Sequence, residues 1–198
     1  MQTHTPKTAS ERVRVTPHPI TTQRLVLKTL SKADAPTFFN YRSTPEVVRF
    51  QLFHPTSIED ALSFIGRATS DFNVEGTWHQ YGIFLQGTLI GDIGVHFLVR
   101  DDNACEIGYT IDPAYQRRGY AREAVRAIVS LLFQTLKKEH VFAVVEVNNI
   151  ASVGLLRSLG FVETRSPPVD MEHTQPDDLP ARTAREICFE LSADRWHS

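Results

Sequence analysis

Ten consecutive residues constrain this chain more than any others: Asp112-Pro113-Ala114-Tyr115-Gln116-Arg117-Arg118-Gly119-Tyr120-Ala121. They stand between a strand-like run, Cys105 to Ile111, and a long amphipathic stretch. Strand, basic glycine-bearing loop and helix together make an anion site. The first N–H groups of a helix lack internal partners, and the macrodipole adds about half a positive charge there. Gly119 has no Cβ to keep a phosphate away from the backbone. Arg117 and Arg118 add forked donors that suit phosphate oxygens. The stretch therefore points to a ligand bearing a pyrophosphate; a basic helix start with a plain surface turn is the alternative.

Two familiar phosphate motifs are excluded. A Walker loop needs Lys-Ser or Lys-Thr closing a glycine-flanked stretch, and a dinucleotide fingerprint needs three glycines at fixed spacing. Here one glycine stands in a Gln-x-x-Gly-x-Ala pattern.

The rest of the chain bounds the setting. A length of 198 residues suits one domain with a substantial core. A formal charge of −2 argues against a dedicated nucleic-acid binder. No apolar run is long enough for a membrane span. Residues 1–20 are polar, carry Pro6, Pro17 and Pro19, and lack the apolar centre of a signal peptide, so a flexible tail is expected there. The two cysteines, Cys105 and Cys188, have no metal-type spacing, and no His/Cys/Asp cluster suggests a metal. These features point to the cytoplasm and to one domain over residues 21–198.

Periodicity gives a coarse element order. Arg24 to Leu30 alternates as a strand. Ser31 with Asp34 reads as a variant capping box ahead of a short helix through Tyr41, and Ser57 opens a second helix with Ile58, Ala61, Leu62, Ile65 and Ala68 on one face. Trp78 to Leu85 and Thr88 to Leu98 flank Gln86-Gly87, a tight hairpin signal. Ala121, Ala124, Val125, Ile128, Val129, Leu132 and Leu136 form one helical stripe, closed by Lys137-Lys138 at the negative end of the dipole. Val141 to Val147 reads as a strand covered on both faces. Ala151 to Leu159 reads as a short helix stopped by Gly160. Phe161 to Arg165 and Arg185 to Leu191 form a final antiparallel pair. Between them, 166–184 is a long proline-rich loop, either a spacer or a substrate-facing flap.

Two motifs then stand at a specific separation. Glu106-Ile107-Gly108-Tyr109, Pro113 and Gln116-Arg117-Arg118-Gly119-Tyr120-Ala121-Arg122-Glu123-Ala124 resemble the acyl-CoA motif of the GNAT N-acetyltransferases. Asn149-Ile150-Ala151-Ser152 and Leu155-Leu156-Arg157-Ser158-Leu159-Gly160-Phe161 are similar to the Asn-x-x-Ser … Leu-Gly-Phe signature of the same superfamily. Thr22-Gln23-Arg24-Leu25-Val26-Leu27 resembles the opening of the RimJ/RimL-type branch, which acetylates ribosomal-protein N-termini. The resemblance implies an α+β fold: a mixed, mostly antiparallel sheet of about seven strands with helices on both faces, splayed between the fourth and fifth strands.

It also implies acetyl-CoA as cofactor and acetyl transfer to a primary amine, a protein N-terminus or a small amine, by direct attack in a ternary complex. A non-catalytic acyl-CoA sensor is the alternative. The loop from Gln116 and Arg117 through Arg118, Gly119 and Tyr120 to Ala121 would cradle the pyrophosphate, and the backbone of Thr110 and Ile111 would pair with the pantetheine arm. Asn149 would hydrogen-bond that arm, cap a helix, or do both. A Tyr common in the second helix of the family is replaced by Leu156, which leaves Ser152 to meet the departing thiolate or to serve as helix-start filler. Glu106 leads Glu146 as general base, since it lies on the strand beside the thioester, sharing a face with Gly108. Phe50, Phe53, His54, Trp78, His79 and His96 are expected around the acceptor, each as packing or contact. No nucleic-acid or membrane partner is expected, and the chain is monomer or homodimer.

Overall fold

The computed structural model describes residues 17–51, 53–68, 72–99, 101–166, 168 and 185–196. The expected tail up to residue 16 and most of the 166–184 loop lie outside these. The elements run β1 (Ile20–Thr21), β2 (Leu25–Thr29), α1 (Ala35–Arg42), α2 (Pro45–Val48), α3 (Ile58–Ala68), β3 (Trp78–Leu85), β4 (Thr88–Phe97), β5 (Ala104–Ile111), α4 (Tyr120–Ser130), β6 (His140–Glu146), α5 (Ile150–Ser158), β7 (Val162–Thr164) and β8 (Glu186–Ser192).

Local chemistry sets several of these bounds. Asp34 accepts from Ser31 N and Oγ at 2.8 and 2.7 Å ahead of α1. Ser57 Oγ accepts from Asp60 N at 3.1 Å, and Asp60 accepts from Ser57 N at 3.2 Å, a reciprocal cap on α3. Gln86 and Gly87 hold φ of 50° and 85°, as a two-residue type I′ hairpin requires. Gly160 takes φ of 90° just past α5.

The strands form one eight-stranded sheet in the order β1-β2-β3-β4-β5-β6-β8-β7. The eighth strand is the short β1, whose Ile20 and Thr21 pair with Leu27 and Val26. Every pairing is antiparallel except β5 with β6. That parallel pair lasts only for Ala104, Cys105 and Glu106 opposite His140, Val141 and Phe142. Beyond it β5 stays with β4, and β6 stays with β8. The sheet therefore opens from Glu106 towards Ile111. With β1 counted first, the split falls between the fifth and sixth strands.

Strand alternation sends side chains to two cores. On one face, Ala124, Val125, Ile128 and Val129 of α4 pack with Leu25, Leu27, Ile83, Ile93, Val95 and Ile107. On the other, Phe38, Ala61 and Ile65 of α1 and α3 pack with Leu30, Phe84 and Leu89. A buried polar knot fastens α1 to that second face. Asp92, fully buried, accepts from Tyr41 Oη, from both Arg42 Nε and Nη2, and from Gln80 Nε2. Four donors replace the water the carboxylate loses, which is the condition for a buried charge to persist.

The long helix differs from its expected form. The α-helix stops at Ser130, and Leu131–Thr135 make a wide π turn. Leu136 N reaches back to Leu131 O at 3.0 Å, and Lys138 N to Leu132 O at 2.9 Å. Lys138 is not a solvent-exposed helix end. It is buried, and its Nζ donates to Asp102 O at 2.6 Å. The wider turn keeps Leu132 and Phe133 in the core while delivering that ammonium to the β4–β5 connection.

Candidate active site

The loop after β5 is built by its own side chains. Asp112 Oδ1 accepts from Ala114 N at 2.9 Å and starts a single 3₁₀ turn. Gln116 Nε2 donates to Ile111 O at 2.9 Å, which folds the loop back on the end of β5. Gln116, expected in the loop that would cradle the pyrophosphate, thus uses its side chain to tether that loop. Arg117 and Gly119 then take φ of 61° and 79°. Among the described residues, the N–H groups of Arg117, Arg118, Gly119, Tyr120 and Ala121 make no turn or cap hydrogen bond. They form a row of unused donors at the start of the eleven-residue α4.

The residues that brace this loop stand within the sequence motifs, but their pairing is not encoded there. Arg24 Nη1 donates to Arg118 O at 2.9 Å, and its guanidinium lies 4.6 Å from the Tyr120 ring centre. Its Nε and backbone N donate to Glu123 at 2.7 and 2.8 Å. Thr22 Oγ1 adds a third bond to Glu123 at 2.6 Å. Burial alone would raise the Glu123 carboxyl, but the bonds from Thr22 and Arg24 outweigh it and hold the group below its ordinary range. The β1–β2 turn thereby clasps the loop and the first turn of α4. In the sequence Thr22 and Arg24 belong to a family resemblance, and Arg24 to a strand-like run, but nothing local announces that Arg24 has a partner 99 residues away.

The second motif occupies the other lip of the split. Asn149 caps α5, with Oδ1 accepting from Ser152 N at 3.2 Å. Ser152 is half-buried, and its side chain lies against the Tyr109 phenol. Its carbonyl accepts from Tyr109 Oη at 3.5 Å, a contact that crosses from β5 to α5. Burial pushes the Tyr109 phenol up to about 12, partly offset by a hydrogen bond from the Ser152 side chain, so it remains a proton donor at neutral pH. Leu156, where the family's Tyr would stand, is fully buried.

Glu106 sits at the last β5–β6 pair before the sheet opens and is 8% exposed. Across β4 it faces His96, with Oε2 3.6 Å from His96 Nδ1. Gly108 and Thr110 follow on the same face. A Cβ at Gly108 would meet nothing within 4 Å, so the space above it is open. Thr110 Oγ1 is buried without a hydrogen bond. Ile111 ends β5, where its carbonyl receives Gln116. Glu146 is engaged in a local turn, accepting from Asn148 N and Nδ2 at 3.1 and 2.9 Å.

The expected acceptor residues do not all meet. Trp78 stacks on His96, centroids 4.7 Å apart and planes 6° from parallel. His79 points to the opposite face, where it contacts Phe72 and Tyr81 edge-on and shares a 3.3 Å bond with Thr29 Oγ1. Phe53 stacks on Phe64 of α3 at 4.2 Å, on the Glu106 side of the sheet. Among the described residues no group of His, Cys, Asp and Glu could hold a metal, and no helix is long and apolar enough to cross a membrane.

Comparison with known proteins fits this geometry. The family model for the acetyltransferase (GNAT) domain matches residues 24–162. The uncharacterized N-acetyltransferase YoaA of Bacillus subtilis (strain 168) is 37% identical over 143 residues, covering 71% of this chain and 80% of that protein. Among solved structures, spermidine N-acetyltransferase from Vibrio cholerae, in complex with CoA and spermine, superposes with a TM-score of 0.69 at 18% identity, covering 88% of this chain and 98% of that one. A provisionally named ribosomal-protein-serine acetyltransferase, also from Vibrio cholerae, gives 0.71 at 23% identity, covering 89% and 98%. An opened mixed sheet, unused amides at its mouth and a family match over most of the chain lead to one conclusion: this protein belongs to the GNAT acetyltransferase family and is an N-acetyltransferase.

Proposed function

We propose that this enzyme transfers the acetyl group of acetyl-CoA to a primary amine by direct attack in a ternary complex. One observation carries the reading. The row of free amides from Arg117 to Ala121 follows β5 at the end where β5 and β6 part. A pyrophosphate and the arm attached to it would use both features at once. Acetyl-CoA supplies the activated acetyl thioester. The loop amides would hold its pyrophosphate, the free edge of β5 at Thr110 and Ile111 its arm, and the Asn149 amide that arm as well.

The chain's own residues then have distinct tasks. Glu106 receives the proton of the attacking amine, whose lone pair forms the new C–N bond while the C–S pair leaves with sulfur. Ser152 Oγ donates a hydrogen bond to that sulfur. Glu106 is preferred over Glu146 because it stands at the apex of the split beside the open floor at Gly108.

The acceptor is either a protein N-terminus or a small amine. Of the two Vibrio cholerae structures named above, one is a spermidine N-acetyltransferase and the other a provisionally named ribosomal-protein-serine acetyltransferase, so the test covers both kinds of amine. Acetyl-CoA at 100 times its Kd should stabilise the fold by about 2.7 kcal/mol. For a chain of this size that is a melting shift of roughly 5–10 °C. A flat melting curve would refute the cofactor. Thiol release across peptides with different N-terminal residues and across polyamines then identifies the acceptor, and release with none of them would favour a sensor.

A further inference from the structure

We propose that His96 is the positioning residue for Glu106. This rests on the assignment of Glu106 as the base. His96 is 1% exposed, and its Nδ1 is buried without a hydrogen bond. Such an orphan is costly and calls for a reason. Its ring is fixed in plane by the Trp78 indole, stacked at 4.7 Å and 6°. Fixed that way, Nδ1 lies 3.6 Å from Glu106 Oε2, just beyond hydrogen-bond range. Contacts of this kind in a site without substrate are commonly long and tighten when substrate binds. Trp78, His96 and Glu106 thus form a file across β3, β4 and β5 that ends where the sheet opens.

The surroundings leave the imidazole well placed for this task. On the β6 side Glu106 faces Phe142, and the next titratable groups, His140 and Glu190, are bonded to each other at 2.8 Å. On β4 the next charge on the same face, Asp92, is committed to Arg42, Tyr41 and Gln80. At the β4–β5 turn, Asp102 is held by Lys138. In this arrangement the ring N–H holds Glu106 in the rotamer that receives the amine proton.

The test uses the full-length enzyme with its best amine. Glu106→Gln comes first and should lower kcat about 100-fold. His96→Leu should lower kcat about tenfold, leave the KM for acetyl-CoA unchanged, and move the acidic limb of the kcat/KM profile to higher pH, because the carboxylate loses a donor. His96→Asn, whose amide N–H can occupy the place of Nδ1, should stay within about threefold of wild type. A wild-type rate and profile for His96→Leu, or an equal loss for His96→Asn, overturns the proposal. If His96→Leu does not fold, His96→Asn alone decides: a retained rate supports the role and a lost one refutes it. A wild-type rate for Glu106→Gln removes the base assignment, and this proposal with it. A slow Glu106→Gln beside a normal His96→Leu removes the positioning role alone.

Discussion

Arg24 Nε donates to Glu123 Oε2 at 2.7 Å, and the same guanidinium donates through Nη1 to the carbonyl of Arg118. One side chain from the β1–β2 turn therefore fixes both the loop and the helix that present the unused amides. The loop's two left-handed residues, Arg117 and Gly119, flank the carbonyl that Arg24 holds. Its shape depends on a partner from elsewhere in the chain.

Glu123→Gln should weaken acetyl-CoA binding several-fold and lower Tm at neutral pH. The sign of its pH dependence follows from the lowered carboxyl. A carboxylate held below its unfolded value contributes fully above that value, about 4.3, and loses the contribution as pH falls through the lower folded value. The gap in Tm between wild type and Glu123→Gln should therefore be wide at pH 7 and close below about pH 4. Melting curves across that range check it; a gap that persists in acid would contradict the clasp.

Gly119→Val should abolish the acetyl-CoA melting shift. Gly119 holds φ of 79°, and a Cβ there would lie 3.4 Å from Arg24 Nη2. A left-handed backbone costs an ordinary residue roughly 1–2 kcal/mol, and a β-branched one more. Valine would also stand between the amides and the diphosphate. Calorimetric titration with CoA reads the loss directly.

Ser152→Ala should lower turnover about tenfold while leaving the cofactor-induced melting shift intact. The cap on α5 is made by Asn149 Oδ1 to the Ser152 backbone, so removing Oγ leaves the helix start untouched. A variant with unchanged turnover would retire Ser152 as the partner of sulfur and direct attention to Tyr109, whose phenol reaches the same turn.

Two glycines one strand apart should respond in opposite ways. Gly108→Val faces open space, so the fold and acetyl-CoA binding should persist while kcat/KM for the amine falls. At Gly91 even alanine would collide with Thr110 O and Ile111 on the neighbouring strand, so Gly91→Ala should lower Tm markedly. Thermal melts paired with amine kinetics separate the cases. A Gly108→Val enzyme with wild-type amine kinetics would show that the acceptor does not pass over β5.

The sequence by itself determined what depends on neighbours along the chain. Strand, glycine loop and helix at 105–130, the caps at Ser31 and Ser57, the hairpin at Gln86-Gly87 and the stop at Gly160 are each written in adjacent residues, because backbone donors and left-handed turns are local demands. The GNAT fold was legible for the same reason, since its motifs are contiguous. Tertiary structure alone decided the pairings that no spacing encodes: Arg24 with Glu123, Trp78 with His96, His96 with Glu106, and the insertion of β8 between β6 and β7. It also separated His79 from His96, since strand register sends them to opposite faces of the sheet. It widened the end of α4 into a π turn so that Lys138 could reach Asp102. Such contacts follow from which apolar faces pack together, and that free energy is a property of the whole chain rather than of any segment of it.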